Sequence, residues 1–255
     1  MAAVKVGFVT LTEVTGEGDH RDYNAWHQLD HMPEQFSIPG VVCGQRWVLA
    51  PACAERAVRV EDPLGTFHYL TMYLMTEPVQ ETLDEFAEVR ERLAKLGRFY
   101  EHRRARLSGA WVFLEALAAP RSLVAPEVIP YRPNRGVYVV VDEPLPDASS
   151  LDEYLRLRHT HHFPQLLEVP GVAGIWSFAT RRWAFAKSED PPGDPDAQDA
   201  TRITVAFLDE DPLEVAATVG PLVEAHWAGA PVRPRFAGPL LTITPWQWDW
   251  FDPAP

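Results

Sequence analysis

The chain has 255 residues, of which 46% are hydrophobic and 23% charged, and its formal net charge is −13. Because phosphate binding depends on a surplus of Lys and Arg, this acidic balance excludes nucleic acid and disfavours an anionic membrane surface. No apolar run approaches the roughly 20 residues of a membrane span, and the N-terminus lacks the apolar segment of a signal peptide. We therefore expect a soluble cytoplasmic protein. Its two cysteines, Cys43 and Cys53, cannot make a disulfide framework.

The first half of the chain reads as strand, helix, strand, strand, helix, strand. Alternating or β-branched runs predict the strands, and apolar residues three and four positions apart predict a long helix that Gly97 ends. In chain order, the strands are predicted at residues 4–11, 41–49, 68–75 and 109–117, with helical segments within 22–41 and 79–97.

The second half repeats this order. Its strands are predicted at residues 136–143, 172–180, 202–209 and 238–246, with helical segments within 153–172 and 212–229. The last helix has the weaker pattern because Pro221 interrupts it.

An internal repeat connects the two halves. Residues 22–41 and 153–172 align without a gap, 131 residues apart, and six of twenty positions are identical. The identical pairs are Tyr23 and Tyr154, His31 and His162, Pro33 and Pro164, and the three residues of Pro39–Val41 and Pro170–Val172. Such a match indicates a duplicated unit.

The order β-α-β-β-α-β is that of a ferredoxin-like unit, whose bare sheet face must be buried. We therefore expect an α+β protein with two tandem units, residues 1–118 and 136–255, whose sheets face each other. The Pro-rich residues 119–135 are predicted as an extended linker. Residues 187–200, which are acidic and Pro-rich, are predicted as a solvated loop.

A motif in the first copy narrows the fold. It runs Tyr23-Asn24-Ala25-Trp26-His27, then Asp30-His31-Met32-Pro33-Glu34, then Ile38-Pro39-Gly40-Val41. This pattern resembles the signature of EthD-like proteins in the dimeric α+β barrel superfamily. The resemblance implies that the two units form one pseudo-two-fold dimeric α+β barrel. The second copy departs from it, because Leu157 and Arg158 stand in place of Trp26 and His27.

The prolines and glycines of the repeat are interpreted as structural. Pro39-Gly40 and Pro170-Gly171 are predicted as turns in which Gly adopts a positive φ before the second strand. Pro33 and Pro164 are predicted to bend or end the first helix.

The candidate catalytic residues are His31, His27 and Tyr23. His27 and His31 are four residues apart and share one helix face, with Tyr23 one turn earlier. A histidine with its ordinary pKa near neutrality suits general acid/base work, with His31 as the principal group. Asp30 is expected to orient the imidazole only if the helix turns it inward. A capping or backbone-bonded histidine is the structural alternative, and no metal site is predicted because a third ligand is missing.

The candidate substrate-binding residues are Trp26 and Trp47 as walls, Arg46 as an oxygen holder, and His68 and His162. The strand register decides whether His68 faces the barrel interior or the helices. The missing counterparts of Trp26 and His27 predict that the working pocket lies in the first half.

The resemblance implies a broad range of reactions. We expect a cofactor-independent enzyme that performs lyase, dehydratase, isomerase or cyclase chemistry on a small hydrophobic oxygenated ring compound. The alternatives are a cofactor-free monooxygenase, in which a substrate carbanion reacts with oxygen, and a non-catalytic barrel that binds a small molecule or haem. A homodimer is left open.

Overall fold

The computed structural model describes residues 3–16, 18–145, 150–180 and 201–252. The predicted loop 187–200 lies outside the described residues. The helices and strands of the first half are β1 (Val6–Val14), α1 (His20–Trp26), a π-helical turn (His27–His31), α2 (Met32–Gln35), β2 (Val41–Val48), α3 (Pro51–Ala54), β3 (Arg59–Val60), β4 (Tyr69–Met75), α4 (Val79–Lys95) and β5 (Arg103–Ala118).

The second half has the same order. Its elements are β6 (Gly136–Pro144), α5 (Leu151–Leu157), a second π-helical turn (Arg158–His162), α6 (Phe163–Glu168), β7 (Val172–Thr180), β8 (Arg202–Leu208), α7 (Pro212–Trp227) and β9 (Val232–Thr242).

The sheet closes on itself. The strand order is β2-β4-β1-β5 in the first half and β7-β8-β6-β9 in the second, and every pairing is antiparallel. Strand β5 pairs with β7, and β9 pairs with β2, so each half contributes its fourth strand to the second strand of the other. The short β3 adds to β9 beyond β2. The predicted fold class, two ferredoxin-like units in a pseudo-two-fold α+β barrel, is confirmed.

The barrel interior is filled by side chains from both halves. Alternation along β6 sends Val137, Val139 and Val141 to this interior cluster, which also contains Trp176 and Phe207. Two further clusters lie between the outer sheet face and the helices, one in each half. Since the interior is packed, a site must be sought between the helices and the outer face of the sheet.

Three predicted strands and one helix differ from the structure. Strand β1 ends at Val14 rather than at residue 11, and β5 begins at Arg103 rather than at residue 109. Strand β9 begins at Val232 rather than at residue 238, and ends at Thr242. The sequence pattern of this strand is obscured by Pro234 and Pro239, because proline cannot donate a hydrogen bond to a neighbouring strand and argues against a strand assignment. Helix α7 runs through Pro221 without a break, since its buried Val215, Val219 and Val223 pack on the sheet.

The linker and the Pro-Gly turns also differ in part. Residues 119–135 contain two 3₁₀ turns, and the Arg121 guanidinium ties them to the second half by donating to the Leu167 carbonyl at 2.7 Å. The expected positive φ occurs at Gly171, where φ is +88°. Gly40 is required for a different reason, because a Cβ there would collide with Thr82.

None of the helices in the described residues is long and apolar enough to span a bilayer.

Candidate functional site

In each half, the first helix continues into a π-helical turn just before a proline. The turns are His27–His31, followed by Pro33, and Arg158–His162, followed by Pro164. A proline lacks the N–H that a regular α-helix needs, and a wider turn accommodates this loss. The sequence predicted a bend or an end, and the structure instead keeps the chain helical through a wider turn.

His27 lies at the centre of the first-half site. Its imidazole is buried, with Nδ1 3.1 Å from the Tyr23 hydroxyl and Nε2 3.3 Å from the Tyr73 hydroxyl. A neutral imidazole has one donor and one acceptor nitrogen, so it satisfies both tyrosines at once. Burial, with Arg46 and His31 adding repulsion, holds the pKa of His27 well below its usual value. Burial also raises the pKa of the Tyr73 hydroxyl, which therefore remains a donor.

Arg46 extends from β2 into the same layer and is 4% exposed. Its Nη2 donates to the Asn24 side-chain oxygen at 2.9 Å, while Nε and Nη1 have no hydrogen-bond partner of normal geometry among the described residues, although the Tyr23 side chain also interacts with the guanidinium. The rings of Tyr23 and Tyr69 lie 5.4 and 5.7 Å from the guanidinium carbon. Among the described residues no carboxylate pairs with Arg46, although an unpaired buried charge is costly. The site therefore contains a cation without its anion.

A hydrogen-bonded chain holds Asn24 in place for Arg46. The Asn24 amide donates to the Tyr69 hydroxyl at 2.9 Å and to the His20 carbonyl at 2.8 Å. These contacts leave the Asn24 oxygen to accept from Arg46. The Tyr69 hydroxyl also contacts His20 Nδ1 at 2.9 Å.

His31 lies beside His27, at 5.2 Å between ring centroids, and is the more exposed of the two. Its ring stacks on Trp26 at 4.6 Å, and its Nδ1 has no hydrogen-bond partner. Burial, with Arg103 and Arg46 adding repulsion, lowers the pKa of His31 to about 3. Asp30 does not oppose this shift, because it binds the Arg98 guanidinium at 3.0 and 3.1 Å.

The structure brings together five of the predicted site residues: Tyr23, Trp26, His27, His31 and Arg46. Trp47 follows Arg46 and points to the opposite face of the sheet, where it is fully buried in the barrel interior. It does not wall this site.

His68 faces neither the barrel interior nor the first-half site. Its Nδ1 accepts from the Val14 N–H at 3.0 Å, and its ring meets the edges of His20 and Phe251. Phe251 belongs to the C-terminal tail, which covers this corner by stacking on His20 at 3.9 Å. His162 lies in the other half.

The second half carries its arginine on a different element. At the position of Arg46 stands Ser177, which pairs with Thr204 as Arg46 pairs with Thr71. The cation comes instead from Arg158, the counterpart of His27, whose Nη2 donates to Thr204 Oγ1 at 2.6 Å. A cavity of about 30 Å³ lies beside it. The sequence predicted the pocket in the first half, and this cavity lies in the second.

Sequence reasoning did not select Asn24, Tyr69 or Tyr73 as site residues. A signal was present for the two tyrosines, since residues 69, 71 and 73 of one strand share a face. Asn24 had none, because its role depends on contacts with Tyr69 and Arg46, which are distant in sequence. Among the described residues, no three His, Cys, Asp or Glu side chains are grouped so as to hold a metal ion.

Acid is expected to destabilise the fold below the ordinary histidine pKa of 6.5. His27 and His31 have folded-state pKa values below that of the unfolded chain, so the unfolded state binds more protons as the pH falls. Each of these two histidines lowers the free energy of unfolding by up to about 1.4 kcal/mol for every pH unit below the unfolded-state pKa. Burial lowers further histidine pKa values at His20, His68, His162 and His226.

Urea unfolding between pH 7.5 and 5 measures this effect. His31→Phe, which retains the stack on Trp26, is expected to flatten the pH dependence. The exposed His161→Gln serves as the control and should leave it unchanged. An unfolding free energy that is constant over this range would contradict the prediction.

Comparison with known proteins supports the fold. No protein-family model matches the chain, and no curated protein matches it. A monooxygenase candidate from Fusobacterium nucleatum superposes with a TM-score of 0.56 at 8% identity, covering 96% of this chain and 94% of that chain. A chlorite dismutase candidate gives 0.51 at 14% identity, with 94% and 96% covered. A mutant chlorite dismutase from Candidatus Nitrospira defluvii, in complex with cyanide, gives 0.51 at 12%, with 96% and 92% covered.

At these identities the likeness shows the fold alone. The chain has the α+β barrel fold of these chlorite dismutase-like and monooxygenase-like structures, as the superfamily prediction required. The closer resemblance to EthD-like proteins stays a prediction.

Proposed function

We propose that the protein is a cofactor-independent enzyme that moves a proton on a small hydrophobic, oxygenated ring compound bound in the first-half site. The buried Arg46 carries this proposal, because its Nε and Nη1 lack partners beside a Tyr-His-Tyr network. An enolate or phenolate oxygen would supply the missing anion and accept from these two nitrogens. The aromatic rings of Tyr23, Trp26 and Tyr69 suit a flat apolar ligand.

The proton moves between the ligand and His27. When a C–H or O–H proton leaves the ligand, the electron pair stays on the ligand oxygen, and Arg46 holds the resulting negative charge. His27 takes the proton through the tyrosine hydroxyl that donates to its acceptor nitrogen, and the new anion beside it raises the pKa that burial had lowered. Return of the proton to another atom gives isomerisation, and its delivery to a leaving hydroxyl gives dehydration. His31, nearer to solvent, exchanges protons with water.

A cofactor-free monooxygenase is the closest alternative, and the fold likeness to the monooxygenase candidate favours it. In that reaction the same residues remove the proton, and the resulting enolate, which has carbanion character, reacts with oxygen. A haem-binding barrel fits the described residues less well. The His162 ring is stacked face to face on His226 at 3.9 Å, so it is already engaged with another side chain.

Deuterium exchange tests the proposal. The purified protein is incubated in D₂O with 2-tetralone, a ring ketone with acidic C–H bonds, and exchange is followed by NMR with and without oxygen. Exchange faster than in buffer, independent of oxygen and lost in Arg46→Met, supports acid/base chemistry. Stoichiometric oxygen consumption supports the monooxygenase instead. An absence of exchange and oxygen uptake across a panel of ring ketones and phenols would contradict both reactions.

A further inference from the structure

The second-half cavity lies between the outer face of the sheet and the helices α5, α6 and α7. Strands β6 and β8 provide its floor, with Asp142 and Thr204, and the π-helical turn provides Arg158. Apolar side chains complete it, among them Val223 on α7 and Leu166 on α6. At its mouth the half-buried rings of His162 and His226 are stacked, 4° from parallel.

Two complementary polar atoms in this cavity are unsatisfied. Asp142 and Arg158 are 2% and 6% exposed, and Asp142 Oδ1 lies 3.7 Å from Arg158 Nη1. This separation is too long for a hydrogen bond, and within the part of the chain that the structure describes neither atom has another hydrogen-bond partner. The remaining groups are engaged, since Arg158 Nη2 donates to Thr204 and Asp142 Oδ2 accepts from the Trp227 indole at 3.5 Å. Buried polar atoms left this way mark a missing partner.

We propose that this cavity is a second binding site, separate from the proposed catalytic one, for a small uncharged molecule with a hydroxyl group next to a carbonyl. The hydroxyl donates to Asp142 Oδ1, and the carbonyl oxygen accepts from Arg158 Nη1. A vicinal hydroxyl and carbonyl place a donor and an acceptor side by side, which matches the spacing of the two free atoms.

The opposite charges of the two free atoms favour a neutral ligand between them, while Arg202 adds a positive charge close to Asp142 and Arg158. Asp142 occupies the register position that Thr12 has in the first half, because Asp142 pairs with Arg202 as Thr12 pairs with Tyr69. The second half therefore provides Arg158 with a carboxylate that Arg46 lacks. An entering anion would replace this pairing with repulsion from Asp142, so the two halves select ligands of different charge.

The size of the cavity sets the ligand's position. A volume of about 30 Å³ holds a polar head group and no ring. The remainder of the ligand extends through the mouth, where the flat surfaces of His226 and Trp227 are half-buried.

Calorimetric titration with phenacyl alcohol tests this site. The comparison probes are acetophenone, which lacks the hydroxyl, and mandelate, in which a benzylic hydroxyl adjoins a carboxylate instead of a ketone. The titrations use Arg46→Met protein, so the proposed first-half site cannot account for binding. We expect phenacyl alcohol to bind roughly tenfold or more tightly than either probe, since each leaves Asp142 or Arg158 unsatisfied or repelled.

Two variants locate the binding. Arg158→Met removes the donor, and Val223→Phe fills the cavity without altering its polar atoms. Both should weaken phenacyl alcohol binding by at least about tenfold. In the wild-type background, Val223→Phe should leave deuterium exchange at the first-half site unchanged, which separates this proposal from the proposed function. Absence of binding, equal binding of the three probes, or binding that survives Val223→Phe would overturn the proposal.

Discussion

Arg46→Met is expected to lower turnover by about a hundred- to a thousand-fold, which is the usual loss when a donor to a developing oxyanion is removed. It should leave the fold intact, because Met has a similar length and carries no charge that needs a partner. The free energy of unfolding should change by less than about 1–3 kcal/mol, because the removal of two unpaired buried nitrogens is offset by the loss of the donor to the buried Asn24 oxygen. Steady-state kinetics and urea unfolding measure the two effects.

A large loss of turnover with little change in stability makes the test specific to a site. Truncation of a residue that only stabilises the fold lowers the free energy of unfolding, whereas truncation of a residue retained for binding does not. Arg59→Met is the matched control, because Arg59 pairs with Glu61 on the exposed strand β3, away from the site, and should leave turnover unchanged. A strongly destabilised Arg46→Met protein with normal turnover per folded molecule would show that Arg46 is structural.

His27→Gln is expected to lower turnover by about a hundred- to ten-thousand-fold, the range for loss of a general acid/base. Glutamine retains a hydrogen bond to one of the two tyrosines but cannot carry a proton. The imidazole contacts the hydroxyls of Tyr23 and Tyr73, and glutamine keeps one of these two contacts. Because the shape of the site is largely retained, ligand affinity should change less than turnover. Comparison of kcat with KM and with the dissociation constant of a ligand separates these contributions.

Two other histidines provide the comparison. His31→Gln should reduce turnover by a smaller factor, because His31 lies beside the site, with its ring 5.2 Å from that of His27. His162→Gln, in the second half, should leave turnover unchanged. If His31→Gln lost more activity than His27→Gln, His31 would be the principal acid/base, as the sequence alone suggests. An equal loss at His162 would indicate a shared structural role or two active sites.

Local sequence signals located most elements closely. The predicted strand 172–180 is β7 itself, and β6 and β8 end within one residue of their predicted limits, because β-branched runs bounded by turns have a clear period. Gly97 ends α4 with a φ of +68°. Strand β9 was misplaced because its prolines contradict a strand locally, while its pairing with β6 and β2 stabilises it globally.

The site was only partly readable in the same way. Tyr23, His27 and His31 could be placed together because a helix brings residues four apart onto one face. The sequence could not tell which of the neighbours Arg46 and Trp47 faces the helices and which faces the barrel interior. A shift of one residue in the strand register exchanges the two faces of a strand. The structure points Arg46 to the helices and Trp47 to the barrel interior.

The sequence by itself determined the duplication and the order of elements, because these follow from local periodicity and from a repeat 131 residues apart, and the resemblance to EthD-like proteins implied the barrel that two such units form. Only the tertiary structure decided which side chains surround the buried arginine of each half. In the first half, Arg46 on β2 meets Asn24 and no carboxylate, and in the second, Arg158 on the helix faces Asp142 on β6. These contacts depend on strand register and helix placement, which no local pattern specifies.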